Sequence, residues 1–448
     1  MRLFLSIFVC KLTSFLSKLL GKEGSVIGGY FALKVYPSVL SKIKMPEYVI
    51  GITGSSGKGS TTELVAKILK ENNYKVIYNK NGSNVLNAIA SLILNNTKKG
   101  KLDCDCLLME MDERYMEDSL KYFSLTHLVI TNITRDQPPR NRHPEFIQSV
   151  IKKSIKNKTT LVINADDPLV KGLTLNYKGK LITYGLDKTS YSKKSKLNNV
   201  DAAYCPVCNS KLKYKYYLYG HIGSYKCPKC DFERGKIDYL AHNINVTGGY
   251  TYINKVKVHL PSNFLYTVYF VTASYALLSI IGVKSEDIIK VTNDESFIPK
   301  RLNIYNFYNR TWQMLASKNE NNLSYKQSLD YIVNTKGKKT IILGFDNSSR
   351  RYSENDLSWI WDIDFEELNN KEVDKIILVG RFKYDMLVRM VYAGISKKKI
   401  ILVDSIENDL IDVLKNKTKG SIYSCVCFDK EIELKSVLKK EGIKNAKD

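Results

Sequence analysis

The sequence predicts an α/β protein built on a doubly wound, mostly parallel sheet. Three observations predict it. Short apolar runs alternate with helical patterns from residue 48 onward. A glycine-rich turn joins the first of those runs to the first of those helices. A second alternation of the same kind begins near residue 310.

The elements follow in order. Residues 1–45 form an N-terminal helical segment. Leu3, Phe4, Ile7, Phe8, Leu12, Phe15, Leu16 and Leu19 recur at helical spacing, with Lys11 and Lys18 on another face. That stripe is too interrupted to span a bilayer. It is expected to pack on the main domain, with a membrane surface as the alternative. Residues 46–300 form the central domain. Its strands are Tyr48-Val49-Ile50, then 75–78, 106–109, 128–131, 160–163 and 181–184, with helical patterns between most of them. The alternation breaks at about 201–240, where two cysteine pairs mark an inserted module. A helix carrying Tyr269, Val271, Ala273, Ala276 and Leu277 follows Pro261. Residues 301–448 make a C-terminal Rossmann-like α/β domain with strands at 340–343, 375–379, 399–403 and 422–426.

Composition bounds the function. An apolar fraction of 44% is ample for large cores, and a net charge of +24 favours anionic partners such as nucleotides, phospholipid head groups or a pyrophosphate-bearing substrate. Part of that charge is the ordinary surface of a Lys-rich chain. The nine cysteines are not a disulfide framework. Four cluster in the inserted module, and Cys104, Cys106, Cys425 and Cys427 alternate within strand-like runs that point into cores. A reduced, cytoplasmic setting fits this usage.

The turn at 51–62 carries the most chemistry. Strand, glycine loop and helix put backbone N–H groups of Gly54, Ser55, Ser56, Gly57, Gly59 and Ser60 around a phosphate, and Lys58 adds a full positive charge. Ser60 or Thr61 offers a hydroxyl to Mg²⁺. The common nucleotide loop has a glycine where this chain has Ile52, and Ser or Thr where it has Gly59, so the match is to a shorter form. Acids at the end of the next core strand, Glu110 first and Glu113 second, are placed to hold the same Mg²⁺. Asn132, Arg135, Asp136 and Gln137 end the following strand and line the same crevice. Asn164-Ala165-Asp166-Asp167-Pro168 ends the strand after that; its Asp-Asp-Pro is a turn signal by itself, so alone it is weak evidence.

Cys205-Pro-Val-Cys208 and Cys227-Pro-Lys-Cys230 have the spacing of a zinc ribbon. Four thiolates close the coordination sphere, so the Zn²⁺ is structural. His221 is a spare donor nearby. Tyr214, Tyr216, Tyr217 and Tyr219, with neighbouring lysines, keep a nucleic-acid reading open.

Taken together, the chain resembles the Mur ligase superfamily and, within it, the MurT-type synthase subunits. The resemblance rests on Gly54-x-x-Gly57-Lys58, the Gly59-Ser60 ending, Asn81-Gly82-Ser83-Asn84, Glu110-Met-Asp112-Glu113, Asn132 with Arg135, and the inserted ribbon. Further on it rests on Asp356-Leu-Ser-Trp-Ile-Trp-Asp362 and the stretch from Gly380 to Gly394. It implies ATP bound by the loop with Mg²⁺ and with Asn84, Arg301 and Lys318, and Lys58 and Glu110 acting at the reacting phosphates. It implies ATP-dependent amidation of the D-glutamate α-carboxylate of lipid II through an acyl phosphate. Ammonia would come from a GatD-type glutamine amidotransferase partner, whose Cys-His pair Asp356 would complete. The bland alternative for Asp356 is a helix cap. The chain departs from the family at Thr267, Phe270, Lys300 and Asn303. Competing readings are an amino-acid-adding ligase of the Mur or folylpolyglutamate kind, a nucleic-acid-binding zinc ATPase, and a non-catalytic scaffold for the amidotransferase.

Overall fold

The computed structural model describes residues 1–21, 25–79, 84–135, 143–193, 201–294, 302–316, 322–346 and 356–446. Arg301 and Lys318, proposed for nucleotide binding, lie outside the described residues, as do 81–83, Asp136, Gln137 and Lys300.

The central sheet has strands β1 (Tyr48–Thr53), β2 (Val76–Tyr78), β5 (Cys106–Glu110), β6 (His127–Ile130), β7 (Thr160–Asn164), β8 (Leu181–Leu186), β11 (Tyr239–Asn245), β12 (Tyr250–Ile253) and β13 (Val256–His259). A short hairpin of β3 (Thr97–Lys98) and β4 (Lys101–Leu102) stands apart, and β9 (Lys213–Tyr219) pairs with β10 (Ile222–Lys226) in the inserted module. The sheet order is β13-β12-β11-β8-β7-β6-β1-β5-β2. Pairing is parallel from β2 through β11, and β12 and β13 add antiparallel edges.

Successive side chains of these strands enter opposite cores, as a two-residue period requires. Ile50, Ile52, Leu108, Val129 and Val162 face one core, beneath α3 (Lys58–Glu71) and the helix Leu265–Ile280. Val49, Leu107, Met109, Leu128 and Ile163 face the other, with α4 (Leu86–Asn95) and the helix Pro144–Ser154. The helix Leu265–Ile280 is apolar on almost every side, and it is buried accordingly. Thr267 and Phe270 sit inside it: Thr267 Oγ1 is 2.5 Å from Ser262 Oγ, and Phe270 is 2% exposed. At these two departures the helix uses its side chains for packing.

The C-terminal sheet has β14 (Leu302–Phe307), β15 (Arg310–Ala316), β16 (Lys339–Gly344), β17 (Val373–Val379), β18 (Ile400–Leu402) and β19 (Ser421–Val426), in the order β14-β15-β19-β16-β17-β18. All pairs but β14–β15 are parallel. Asn303, on β14, accepts from Asn445 Nδ2 at 3.1 Å. Cys106, Cys425 and Cys427 are buried, and burial pushes the Cys106 and Cys425 thiols up to about 12.

The N-terminal helix α1 (Arg2–Leu19) packs on α2 (Ile27–Val35) and α4, but through the wrong stripe for the sequence expectation. Its buried residues are Ser6, Ile7, Cys10, Ser14 and Ser17, whereas Phe4, Phe8, Leu12, Phe15, Leu16 and Leu19 are exposed. A close approach decides this. A Cβ on Gly28 of α2 would sit 2.1 Å from Ser14 Oγ and 2.9 Å from Cys10 O, so only small side chains fit between the helices.

Candidate functional site: a phosphate loop wired to a cysteine ribbon

The glycine loop leaves the carboxyl end of β1, between β5 and β6, which is where open parallel sheets bind nucleotides. Gly54 has φ +124°, and a Cβ there would lie 2.3 Å from Thr131 Oγ1; Gly57 has φ +84° and caps α3. The first intrahelical bond runs from Thr61 N–H to Gly57 O at 3.0 Å. The N–H groups of Gly59 and Ser60 precede that bond, in the first turn of α3, where the helix itself supplies no acceptor. Thr61 Oγ1 donates back to Gly57 O at 2.8 Å, which leaves Ser60 as the better-placed hydroxyl.

The loop is braced from β6. Thr131 Oγ1 donates to Ser56 O at 2.7 Å. Asn132 accepts from Ser56 N at 3.0 Å with Oδ1 and donates to Ser56 O at 3.0 Å with Nδ2. Ser55 N–H donates to Asn132 O at 2.8 Å, and Thr134 N–H donates to Ser55 Oγ at 2.9 Å. Asn132 is thus engaged with the loop itself.

Lys58 Nζ bonds Gly54 O and lies 3.0 Å from Glu113 Oε2, with both side chains largely buried. Glu113 supplies the lysine's counter-charge. Glu110 stands apart from that pair. Its Oε2 would be 3.3 Å from a Cβ on Gly59, so the missing side chain at 59 gives this carboxylate access to the helix N-terminus. Its backbone is pinned to Asn79 by two 2.8 Å bonds. Asn84 lies at the neighbouring loop, where its O accepts from Asp112 N at 3.5 Å.

The four ribbon cysteines come together, with all Sγ atoms within 4.8 Å of one another. Cys205 and Cys230 are 3.5 Å apart and Cys208 and Cys227 3.4 Å, near the ~3.8 Å edge of a tetrahedron with bonds of about 2.3 Å. Val207 N–H and Lys229 N–H donate to Cys205 Sγ and Cys227 Sγ at 3.4 Å, completing two matching turns. The donor set fits Zn²⁺. Its own core is only Cys205, Leu212, Tyr225, Cys227 and Phe232. A bound metal would add folding free energy to a core this small.

His221 does not join this cluster. It is buried, with Nε2 3.1 Å from Asp167 Oδ1. Burial disfavours the imidazolium, but Asp167 outweighs that and holds the His221 pKa above its usual value. Asp167 also accepts from Leu169 N at 2.9 Å and from Ile133 N at 2.8 Å. Asp166 accepts from Arg234 Nε at 2.5 Å, Tyr269 OH at 2.7 Å and Leu186 N at 2.8 Å. Burial raises its pKa, and these donors oppose the rise. The stretch whose Asp-Asp-Pro is by itself a turn signal is the wall that anchors the ribbon. A signal was present in the sequence: two adjacent acids after an apolar strand, with a lone His and an Arg inside the insertion. The ribbon tyrosines are packing groups instead of base platforms. Tyr216 and Tyr219 are buried, and Tyr214 stacks on Tyr217 at 4.2 Å.

In the C-terminal domain Asp356 Oδ1 accepts from Ser358 N at 2.8 Å, a turn contact of an aspartate with the N–H two residues on, just ahead of the short helix Ser358–Asp362. Asp362 reaches the central domain: Arg135 Nη1 is 2.8 Å from its Oδ2, and Arg135 Nε is 2.7 Å from Asp201 Oδ1 at the entrance to the ribbon.

Two family models match this chain: the Mur ligase middle domain over residues 52–222 and the MurT ligase C-terminal domain over 318–427. The chain is 28% identical over 405 residues to the MurT subunit of lipid II isoglutaminyl synthase (glutamine-hydrolyzing) from Staphylococcus aureus (strain N315), covering 90% of each. It is 24% identical over 422 residues to the subunit of the same name from Streptococcus pneumoniae (strain ATCC BAA-255 / R6), covering 93% of this chain and 92% of that one. Among solved structures, a pseudomurein peptide ligase type C from Methanothermus fervidus superposes with a TM-score of 0.68 at 20% identity, over 90% of this chain and 81% of that one. The MurF ligase from Thermotoga maritima in complex with ADP gives 0.57 at 18%, over 92% and 83%. The two structures share the fold described above.

Proposed function

This chain belongs to the Mur ligase superfamily as a divergent member of its MurT branch, and from that premise we propose that it is the synthase subunit of an ATP-dependent ligase that amidates lipid II. A carboxylate is a poor acylating agent, because oxide is a poor leaving group. Transfer of the γ-phosphoryl group of ATP to the D-glutamate α-carboxylate gives an acyl phosphate and ADP. Ammonia then attacks the carbonyl carbon. The C–N bond forms, the C–O bond to phosphate breaks, phosphate leaves with that electron pair, and the nitrogen loses a proton. The product is D-isoglutamine.

The N–H groups of Lys58, Gly59 and Ser60 receive phosphate oxygens. Lys58 exchanges its contact with Glu113 for the charge that develops between the phosphates as the bond breaks. Glu110 and Ser60, two hard oxygen donors beside the loop, are the groups that would hold Mg²⁺, which neutralises phosphate charge when bound. The thiolates of Cys205, Cys208, Cys227 and Cys230 hold Zn²⁺ in a closed, structural site. Ammonia comes from a separate GatD-type glutamine amidotransferase, and Asp356 orients that partner's histidine.

The observation that carries this reading is the convergence of the α3 N-terminus, the Lys58 ammonium and the Glu110 carboxylate on one crevice edge. The zinc-loaded chain, incubated with lipid II, ATP and ammonium, should yield lipid II carrying an amide in place of the acid by mass spectrometry. An unchanged lipid II mass with folded, zinc-loaded protein would refute it. Glutamine should replace ammonium only when the amidotransferase is added.

A further inference from the structure

The N-terminal helix is inverted relative to an ordinary surface helix. Its small residues Ser6, Cys10, Ser14 and Ser17 face the protein, where Ser6 Oγ donates to Ala32 O at 2.8 Å and Ser14 Oγ accepts from Asn95 Nδ2 at 3.0 Å. Its bulky residues face outward: Phe4 is 64% exposed, Phe8 61%, Phe15 59% and Leu19 67%, with Leu12 and Leu16 between them. On a helical wheel these six fall on one arc, with Lys11 and Lys18 along one margin and Arg2 toward the other. Ile27, Tyr30 and Phe31 of the neighbouring α2 are exposed as well. An aromatic face of this size on a soluble domain marks a contact surface.

Charge selects the occupant. Residues 1–46 hold Arg2, Lys11, Lys18, Lys22, Lys34, Lys42 and Lys44 against a single acid, Glu23. The chain as a whole carries +24. A second copy would bring one basic rim against another across the same apolar face, which is unfavourable. An anionic lipid surface answers both features at once, with acyl chains for the aromatic arc and head groups for the lysines. None of the described helices is long and apolar enough to cross a membrane, so the helix would lie in the interface plane.

We propose that the outward face of Arg2–Leu19 docks this protein in-plane on an anionic phospholipid bilayer. The apolar arc and the basic rim act together, because either alone gives only weak, reversible binding. The proposal concerns the membrane itself and not the ligated substrate, so vesicles free of lipid II test it independently of the ligase reading.

The experiment is flotation of the full chain with phosphatidylcholine vesicles, with and without phosphatidylglycerol. Binding should require the anionic lipid, weaken as salt is raised, and fall by about tenfold or more in a Phe4→Ser/Phe8→Ser/Phe15→Ser variant. These side chains point away from the protein, and retained zinc content and circular dichroism would show that the variant is folded. Should the triple substitution unfold the chain, Phe8→Ser alone should lower binding measurably. Absence of binding to anionic vesicles, or unchanged binding in the variants, would overturn the proposal. So would self-association that the substitutions abolish in a chain that ignores vesicles, which would assign the face to a second copy.

Discussion

Lys58 and Glu113 meet at 3.0 Å with side-chain exposures of 11% and 3%, while Glu110 stays separate beside Gly59. The two acids, Glu110 ranked ahead of Glu113 in the sequence, are thereby divided: Glu113 is the lysine's counter-charge, and Glu110 stands beside the helix start, where it is proposed to hold Mg²⁺. Lys58→Ala should lower ammonium-driven turnover by about 10²- to 10³-fold, the scale for one charge-stabilising donor. It should leave zinc content unchanged but lower the melting temperature, because Glu113 stays buried without that counter-charge, so single-turnover measurement of ADP release is made well below the variant's melt. Asp356 is spent locally on the Ser358 N–H, so its proposed role belongs to a partner that brings its own histidine. Asp356→Asn should keep the turn contact with Ser358 N–H while weakening that histidine's orientation. Glutamine-driven turnover by the two-subunit enzyme should then fall by up to about 10⁴-fold, with ammonium-driven turnover as the internal reference. Equal losses with both nitrogen sources would place Asp356 elsewhere. Lys58 and the four cysteines were legible in the sequence because each sits in a short motif whose spacing is its geometry. The duty of Asn132 was not: its amide grips Ser56, a residue it meets only after β1 and β6 pair.

The ribbon and the glycine loop are connected through one buried strand end. His221 pairs with Asp167, Asp167 accepts from Ile133 N–H, and the adjacent Asn132 holds Ser56. Arg234 reaches Asp166 beside it, and Tyr225 OH donates to Ala165 O at 3.1 Å. The His221 pair has a pH signature. Its folded pKa is raised above the ordinary 6.5, so its stabilisation is complete below that value and is lost as pH rises through the folded pKa. Asp201 and Arg135 also act on this imidazole, the acid raising and the guanidinium lowering its pKa. With zinc held bound, His221→Gln should cost on the order of 1–3 kcal/mol near pH 6 and clearly less near pH 9. Denaturant melts at the two pH values decide it, and a cost that is flat or grows with pH would contradict the assignment. The inner parallel strands β1, β2, β5 to β8 and β16 to β19 were legible to within about three residues, since doubly covered strands read as apolar runs, whereas β3, β4 and β9 to β15, mostly hairpin, ribbon and edge strands of mixed polarity, were not.

Across the whole molecule, the central and C-terminal domains meet through two unequal charge clusters. Lys326, with a side chain 7% exposed, holds Asp330 at 2.9 Å and Glu367 at 2.7 Å, and Lys193 of the central domain reaches both acids. Arg135 and Asp362 are more open, at 36% and 16%. Removing the buried lysine leaves two carboxylates facing each other, so Lys326→Ala should cost about 3–5 kcal/mol, whereas Asp362→Asn should cost about 1 kcal/mol or less. Thermal melts of the two variants should differ in that order, and the reverse order would contradict the burial argument. The sequence by itself determined the inner parallel strands, the shortened glycine loop and the four-cysteine cluster, because each is set by neighbours within a few residues. Only the tertiary structure decided which stripe of the first helix turns inward, which partners answer Asp166 and Asp167, and that Arg135 reaches Asp362. Those outcomes depend on side chains far apart in sequence. A glycine in α2 admits only the small stripe of α1, and buried acids must find donors wherever the folded chain brings them.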